Sequence, residues 1–496
     1  MSGQGPYLDD TPRLPQLLDG LTEAADVPDL PVTGLALSSQ GVRAGDIFLA
    51  VQGTRMHGLA FAADAVERGA SCIVYQSGAG AVAPDLSVPA VAVPDLFRRV
   101  GLIASRFQGE PSASLRITAI TGTDGKTSVA WLMAGALAHL RVSAHYIGTL
   151  GAGCPTGLSA TQHTTPDPLR LQAALAEARD AEVRAVVMEV SSHALDQGRL
   201  AGTQVDCAVL TNLGRDHLDY HADVPAYHAA KKRLFTECAP RRVVLNADDR
   251  VAREWIAEMP QAWTYALDHD ARVRAVDPHF TQEGVRFVLT CDDEQAQVKA
   301  PLMGRFNVAN LTAVGAALLA QGYALKQVAA ALSRAGVVPG RMQPLRASGK
   351  PLVLVDYAHT PQALSQALLA SKAHARGKLW CVFGCGGDRD TGKRALMGQT
   401  AAAVADYIVL TDDNPRSEDP ESITAAIAEG VGAHGHVETI NRRADAIAHA
   451  IRSAKADDIV LIAGKGHETT QQYGAVEYPF SDIEHARAAL GLESAS

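Results

Sequence analysis

The sequence has no stretch approaching the ~20 apolar residues of a membrane span, no long basic run, no internal repeat and no low-complexity segment. No membrane span is therefore expected. With 45 Lys and Arg against 54 Asp and Glu, the formal net charge is −9. That balance argues against nucleic acid or an anionic membrane as the principal partner. Cysteine is sparse: seven residues are scattered along the chain. Cys381 and Cys385 lie four apart, but no second pair or histidine partner completes a zinc pattern. Reduced cysteines in a cytoplasmic protein are expected. Residues 1–15 are polar and proline-bearing, unlike a signal or transit peptide. At 496 residues the chain exceeds one ordinary core, so several domains are expected.

What is present is a phosphate cradle. Ile117-Thr118-Ala119-Ile120-Thr121 reads as a strand running into Gly122-Thr123-Asp124-Gly125-Lys126-Thr127-Ser128. The apolar run Val129 to Leu140 predicts a helix directly after it. Gly122 and Gly125 let backbone approach an anion, and the helix N-terminus supplies unpaired N–H groups. Lys126 can reach the β- and γ-phosphates of ATP, and Thr127 can ligate Mg²⁺. The strict Walker pattern asks for glycine where Ile120 stands, so the generic motif is only partly met. The flanking apolar strand and helix disfavour a chance Gly-Lys-Thr.

The rest of the chain alternates strand and helix. Residues 1–20 read as a loose extension. A small α/β region follows, with strands at Ile47–Val51 and Cys72–Tyr75, a helix at Phe61–Arg68, and a turn over Leu37–Phe48. The run Arg184–Val190 is nearly all apolar, as expected for a parallel strand covered on both faces. It ends in Glu189, followed by Ser191-Ser192-His193. Val205–Leu210 is a second such strand and leads into Thr211 to His221. Ligands of open α/β sheets bind beyond the carboxyl ends of strands, which favours a functional Glu189. A third α/β unit starts near Pro351. Its strands Leu379–Phe383, Tyr407–Leu410 and Ile459–Ala463 each end in a glycine-rich, charged loop: Gly384–Arg389, Thr411–Arg416 and Gly464–Glu468. Three such loops on one sheet make a binding edge.

Nine segments in order carry a family resemblance. They are Thr121–Thr127, Glu189–His193, Asn212–His217, Tyr227–Lys231, Gly304–Asn307, Gly340–Met342, Asp356–His359, Asp413–Arg416 and Gly464–Glu468. Together they resemble the Mur ligases, from about Leu35 to Glu484. The Thr-Gly-Thr-x-Gly-Lys-Thr form of the loop is shared by that family and by folylpolyglutamate synthetases. The resemblance implies an α/β fold with three domains. Residues 1–111 would bind the UDP substrate and carry the loose extension. Residues 112–344 would form a central P-loop ATPase domain, and residues 345–496 a Rossmann-like, amino-acid-binding domain. ATP is expected between the second and third, with domain closure completing the site.

The implied reaction joins an amine to a carboxylate. ATP phosphorylates the carboxylate, and the amine then displaces phosphate from the acyl phosphate, with Mg²⁺ and cations stabilising the crowded oxygens. Gly122, Thr123, Asp124, Gly125, Lys126, Thr127 and Ser128 are expected at the phosphates. Asn307, Arg341, Asp356 and His359 match family positions near the nucleotide, although Gly340-Arg341 reads equally as an interdomain turn. Thr127, Glu189 and His217 resemble the family's magnesium ligands, while His217 taken alone reads as a loop histidine. Lys231 resembles its carbamylated lysine, while composition alone reads it as a solvated helix lysine. For a UDP-N-acetylmuramoyl peptide, the resemblance implies Leu37, Ser39, Thr54, Arg55 and Met56 near the uridine and diphosphate. His163, Thr164, Thr165, Ser191, Gln197 and Arg199 would line the peptide. The sequence departs from the family pattern at four positions: Ser38 and Gln40 stand where Asp and Arg are usual around Ser39, Asp124 replaces an asparagine in the phosphate loop, and His163 an asparagine before Thr164-Thr165.

The amino acid added is read at Asp413-Asn414-Pro415-Arg416. Family members with this sequence add meso-diaminopimelate, whereas lysine-adding members generally lack the arginine. Arg416 offers a planar fork to the far carboxylate. Glu468 can pair with the neighbouring ammonium, and Arg389 and Gly464 fall at other contact positions. Arg416 as a solvated loop residue is the plain alternative. The expected activity is therefore ligation of meso-diaminopimelate to UDP-N-acetylmuramoyl-L-alanyl-D-glutamate by a monomer. The rival readings are a lysine-adding relative, a folylpolyglutamate synthetase, a P-loop ATPase or kinase acting as a switch or transporter, and a catalytically dead scaffold.

Overall fold

In the computed structural model, residues 11–23, 27–53, 56–78, 81–82 and 85–493 are described. The chain divides into two compact units. One comprises residues 1–130, 141–245 and 259–262, and the other residues 131–140, 246–258 and 263–496. No helix among the described residues is long and apolar enough to cross a membrane. The seven cysteines are free.

The first unit holds two sheets. Strands β1 (Leu35–Ala36), β2 (Ile47–Ala50), β3 (Cys72–Ser77) and β4 (Ala90–Pro94) form a small parallel sheet in that order. Helix α1 (Leu14–Leu18) packs on it, with Leu14, Leu17 and Leu18 buried among Val91, Leu96 and Val100. The expected loose extension is thus corrected from residue 11 onward, while residues 1–10 lie outside the described residues. The spacing of Leu14, Leu17 and Leu18 gives one apolar face on a single helical turn. Arg106 ties that turn down, donating to the carbonyls of Leu17 (2.9 Å) and Asp19 (2.8 Å). Two further helices belong to this region, α2 (Ala62–Glu67) and α3 (Leu96–Phe107).

The larger sheet of this unit contains β5 (Arg116–Thr121), β6 (Ala144–Gly148), β7 (Gly151–Gly153), β8 (Ala185–Glu189), β9 (Cys207–Leu210) and β10 (Arg242–Asn246). They run β10-β9-β5-β8-β6-β7, all parallel except the β6–β7 hairpin. Strand β5 is central, and its register pairs Ile120 with Glu189 and Thr121 with Leu210. The carboxyl ends of β5, β8 and β9 are therefore side by side. All of β8 and β9 is buried, which explains their unbroken apolar sequence. Helix α4 (Lys126–His139) starts at the lysine of the glycine-rich loop, three residues before the expected Val129.

In the second unit, β11 (Trp263–Ala266), β12 (Val273–Thr281), β13 (Gly284–Cys291) and β14 (Glu294–Ala300) lie in sequence order. The last three form an antiparallel meander that sequence reading did not anticipate. The six-stranded sheet contains β15 (Gln343–Leu345), β16 (Leu352–Asp356), β17 (Leu379–Phe383), β18 (Tyr407–Leu410), β19 (Val437–Thr439) and β20 (Ile459–Ala463). Its order is β15-β16-β20-β17-β18-β19, and only β15 is antiparallel. Asp356 pairs with Ala463 and Phe383 with Leu410, so the four loops after β16, β20, β17 and β18 emerge at one edge. A hairpin, β21 (Thr470–Tyr473) and β22 (Val476–Pro479), follows.

Candidate active site

The glycine-rich loop is held by its neighbours through backbone. Gly122 has φ 152° and Gly125 φ 81°, and a Cβ on Gly122 would fall 1.8 Å from Thr211 Oγ1. Glycine at 122 is thus required by close approach as well as by conformation. Beyond β9, Thr211 Oγ1 donates to Asp124 O (2.6 Å), and the Asn212 side chain both donates to that oxygen (3.2 Å) and accepts from Asp124 N (2.9 Å). Asp124 therefore fills its place through its backbone, while its side chain is exposed. Thr123 Oγ1 meets Gly214 N (2.8 Å) and Tyr227 OH (3.1 Å). Ser128 is buried in the first turn of α4.

Two lysines converge on this loop. Lys126 Nζ donates to the carbonyls of Gly122 and Thr123, both at 2.8 Å. Lys231, on α7 (Val224–Thr236; α5 is Pro168–Asp180 and α6 Ser192–Asp196), also donates to Gly122 O at 2.8 Å. It is 1% exposed and its ammonium lies 4.4 Å from the Tyr227 ring centroid. Burial, and then the nearby Lys126 charge, push its pKa well below the lysine range. Burial thus disfavours the charged form of this amine. The solvated helix lysine that composition suggested is not what folds.

Glu189 is fully buried at the end of β8. Thr127 Oγ1 donates to its Oε2 at 2.8 Å. Thr149 donates to it through N (2.9 Å) and Oγ1 (3.2 Å), and Tyr146 through its hydroxyl. Tyr146 and Thr149 were missed in the sequence, where a lone polar residue at a strand end carries no signal. Thr164 Oγ1 lies 3.1 Å from Thr149 Oγ1. Thr165 Oγ1 donates to Glu189 O (2.9 Å) and accepts from Ser191 N (3.0 Å). Arg199 donates to Thr165 O (2.6 Å) and twice to Gln197 Oε1 (2.9 and 2.7 Å). Burial lowers the Arg199 pKa. The structure thus joins Thr127, Glu189, Thr164, Thr165, Ser191, Gln197 and Arg199 in one hydrogen-bonded series.

His217 adopts φ 51° and sits edge-on to His193, ring centroids 4.8 Å apart, and 6.2 Å from the Tyr227 ring. His193 and His221, with centroids 5.6 Å apart, extend this aromatic group; the sequence reading notes them at the strand ends without assigning them to the site. No group of three or more His, Cys, Asp or Glu arranged to hold a metal occurs among the described residues. Leu37 and Ser39 lie instead at the small parallel sheet. The buried Ser39 hydroxyl bonds Asp64 and lowers that carboxyl's pKa. Gln40, His163 and Met56 are exposed, and Thr54 and Arg55 lie outside the described residues.

In the second unit, Asn307 is buried, donating to Met303 O (2.8 Å) and accepting from Asn310 (3.0 Å). Asp356 accepts from the backbone N–H of Met342 (2.7 Å) and Ala358 (2.9 Å), and burial raises its pKa. Arg341 lies 4.6 Å from the Tyr357 ring, and His359 packs edge-on to the same ring at 4.7 Å. Arg341 Nε is buried without a hydrogen-bond partner.

The four loops of the six-stranded sheet hold the remaining candidates. Asn414 Nδ2 donates to Glu468 Oε2 (3.2 Å). Arg416, with φ 52°, donates through Nη1 to Gly387 O (2.7 Å). Pro415 is buried, and Arg389 is exposed on the loop after β17. Gly464 faces Asp413, whose Oδ2 an added Cβ would approach to 2.6 Å. Burial raises the Asp413 pKa, against the opposing charges of Arg443 and Lys465. Arg443 is itself fully buried and pairs with both Asp482 oxygens at 2.7 Å. Arg416 is no freely solvated loop residue: one arm is fixed to the neighbouring loop.

Three sequence models match: the Mur ligase family catalytic domain over residues 31–107, the Mur ligase middle domain over 120–318, and the Mur ligase glutamate ligase domain over 340–466. A protein of Alkalilimnicola ehrlichii named UDP-N-acetylmuramoyl-L-alanyl-D-glutamate–2,6-diaminopimelate ligase is 47% identical, covering 97% of this chain and 99% of the relative. Its namesake from Pseudomonas aeruginosa is 46% identical, covering 96% and 98%. A solved structure of a ligase of the same name is 37% identical with a TM-score of 0.75, covering 97% of this chain and 99% of that one. With a buried glutamate and two lysines gathered at a glycine-rich loop, and with this likeness along nearly its whole length, the chain belongs to the Mur ligase family.

Proposed function

We infer that this protein is an ATP-dependent ligase that adds meso-2,6-diaminopimelate to UDP-N-acetylmuramoyl-L-alanyl-D-glutamate in peptidoglycan precursor synthesis. The observation that carries this reading is the pairing of two constellations: Lys126, Thr127, Glu189 and Lys231 around one phosphate loop, and Arg416, Asn414 and Glu468 around one sheet edge. In this reading Lys126 leaves its two carbonyl partners for the phosphates of ATP, which the backbone N–H groups of the loop cradle. The terminal carboxylate of the UDP-dipeptide takes the γ-phosphoryl group, ADP leaves, and the diaminopimelate amine then displaces phosphate from the acyl phosphate. Thr165, Ser191, Gln197 and Arg199 orient the dipeptide beside Glu189.

The residues present fit Mg²⁺, a hard cation usually held by one or two carboxylates together with substrate phosphates rather than by an all-protein cage. The Thr127 hydroxyl and the Glu189 carboxylate would hold it, with His217 as a further candidate. The ion would neutralise phosphate charge. Lys231, whose charged form burial disfavours, is suited to take up CO₂, its nitrogen bonding the carbon as a proton is released. The product is a carbamate that supplies an anionic ligand. The proposed domain division remains 1–111, 112–344 and 345–496.

Diaminopimelate carries a second ammonium and carboxylate at its far end. Arg416 would bind the carboxylate through the donors left by its Gly387 bond, Glu468 would pair with the ammonium, and Arg389, Asp413 and Gly464 would complete the pocket. Lysine lacks the carboxylate and would leave the remaining Arg416 donors desolvated without a partner. The test is phosphate release with the UDP-dipeptide and a panel of amino acids. Release is expected only with the dipeptide and diaminopimelate together; equal release with ATP alone, or with lysine, would overturn the assignment.

A further inference from the structure

Lys465 is the only lysine of the four loops with no exposed surface. Gly464 (φ 118°) and Gly466 (φ 55°) flank it, and Gly464 N donates to Asp356 O at 3.1 Å. These turns carry the side chain inward at the carboxyl end of β20. Its Nζ donates to Glu468 Oε2 at 2.8 Å and to Asn414 Oδ1 at 3.1 Å. Burying an ammonium without paired acceptors is costly, so this lysine fixes both partners as firmly as they fix it.

The consequence falls on Asn414 and Glu468. Asn414 Oδ1 accepts from Lys465 and from Gln472 N (2.9 Å). The amide nitrogen is thereby turned toward Glu468 Oε2. Glu468 Oε2 receives two donors, while Oε1 has no partner among the described residues. We propose that Lys465 is a positioning and specificity-determining residue for the amino-acid substrate: with the Asn414 amide braced against Glu468 Oε2, it aims the open Oε1 of Glu468 at the ammonium end of diaminopimelate. Being buried behind both, it acts through them and does not touch the substrate. The inference rests on the amino-acid site proposed above.

The experiment is steady-state kinetics of Lys465→Met, Glu468→Gln and the double variant, varying each substrate in turn, with thermal melting of each protein. Lys465→Met keeps the stem and removes the charge. Its KM for diaminopimelate should rise about tenfold or more, the loss expected for a charge-assisted bond. Its KM for ATP and for the UDP-dipeptide should stay within about twofold. A purely structural role would lower the melting temperature without singling out one substrate. The double variant should bind diaminopimelate no worse than Glu468→Gln, because the lysine acts through that carboxylate. Should Lys465→Met not fold, the double variant, which removes both charges of the pair, decides alone: a further rise over Glu468→Gln overturns the proposal. If Glu468→Gln raises KM and Lys465→Met does not, the proposal fails and the site stands. If Glu468→Gln itself leaves KM unchanged, the site reading fails, and this inference with it.

Discussion

The phosphate loop and the loops of the C-terminal sheet are built on the same plan with different materials. Both lie at the carboxyl ends of adjacent parallel strands. At the phosphate loop the lysines close onto main chain: Lys126 and Lys231 share Gly122 O. At the sheet edge, cations close chiefly onto side chains, Lys465 on Glu468 and Asn414, Arg394 on Glu418, and Arg443 on Asp482, although Arg416 closes on the Gly387 carbonyl. A phosphate is recognised by N–H groups that every sequence has, so the loop needs only glycines and a lysine. A zwitterionic amino acid is recognised by placed charges, and these need a supporting network.

The contrast is tested most severely at the phosphate loop. Lys126→Ala should reduce kcat by about 10²–10³-fold or more, the effect of removing a principal charge-stabilising donor. Its melting temperature should change little, because the lysine donates to carbonyls of its own loop. An active variant would mean that backbone alone suffices there. Lys231→Ala should lose about 100-fold in kcat, and a short carboxylic acid should restore part of it by taking the place of the proposed carbamate anion. Mass determination of the intact wild-type protein in bicarbonate buffer gives a second readout. Full activity in the alanine variant would return Lys231 to a packing role.

At the sheet edge the effect should concern selection between substrates rather than rate. Arg416→Ala should lower kcat/KM for diaminopimelate about a hundredfold, from two charge-assisted bonds at roughly 1.5–3 kcal/mol each and about 1.4 kcal/mol per tenfold. The preference over lysine should narrow accordingly. Competitive assays with both amino acids measure it, and an unchanged ratio would remove Arg416 from the site.

The smallest effect belongs to a charge at the opposite end of the same strands. Asp406 precedes β18. Burial would raise its carboxyl, but Lys372, the Leu379 N–H and Lys378 bring its pKa down to about 2. A carboxylate whose pKa is depressed on folding contributes stability above its unfolded pKa of about 3.8 and loses it as pH falls through about 2. Asp406→Asn should therefore destabilise the protein at neutral pH by on the order of 1–2 kcal/mol, a difference that shrinks below about pH 4. Ligase activity should be unaltered. Urea melts at pH 7 and pH 3 check the sign.

The sequence by itself determined a good deal. Strands β17, β18 and β20 have the limits their apolar runs predicted, because strands buried on both faces leave an uninterrupted hydrophobic record. The glycine-rich loop was readable because its conformation demands particular residues at particular places. Helix α1 escaped because one short turn of leucines becomes a helix only when there is a sheet to bury them against. Tyr146 and Thr149, which hold Glu189, and Lys465 behind Glu468 also required the fold. Their partners lie 40 or more residues away for the first pair, and for Lys465 the deciding fact is that the side chain turns inward, where no solvent can replace its acceptors. Motif chemistry is local and leaves its mark in sequence; burial and cross-loop pairing are properties of the assembled sheets, and only the tertiary structure decided them.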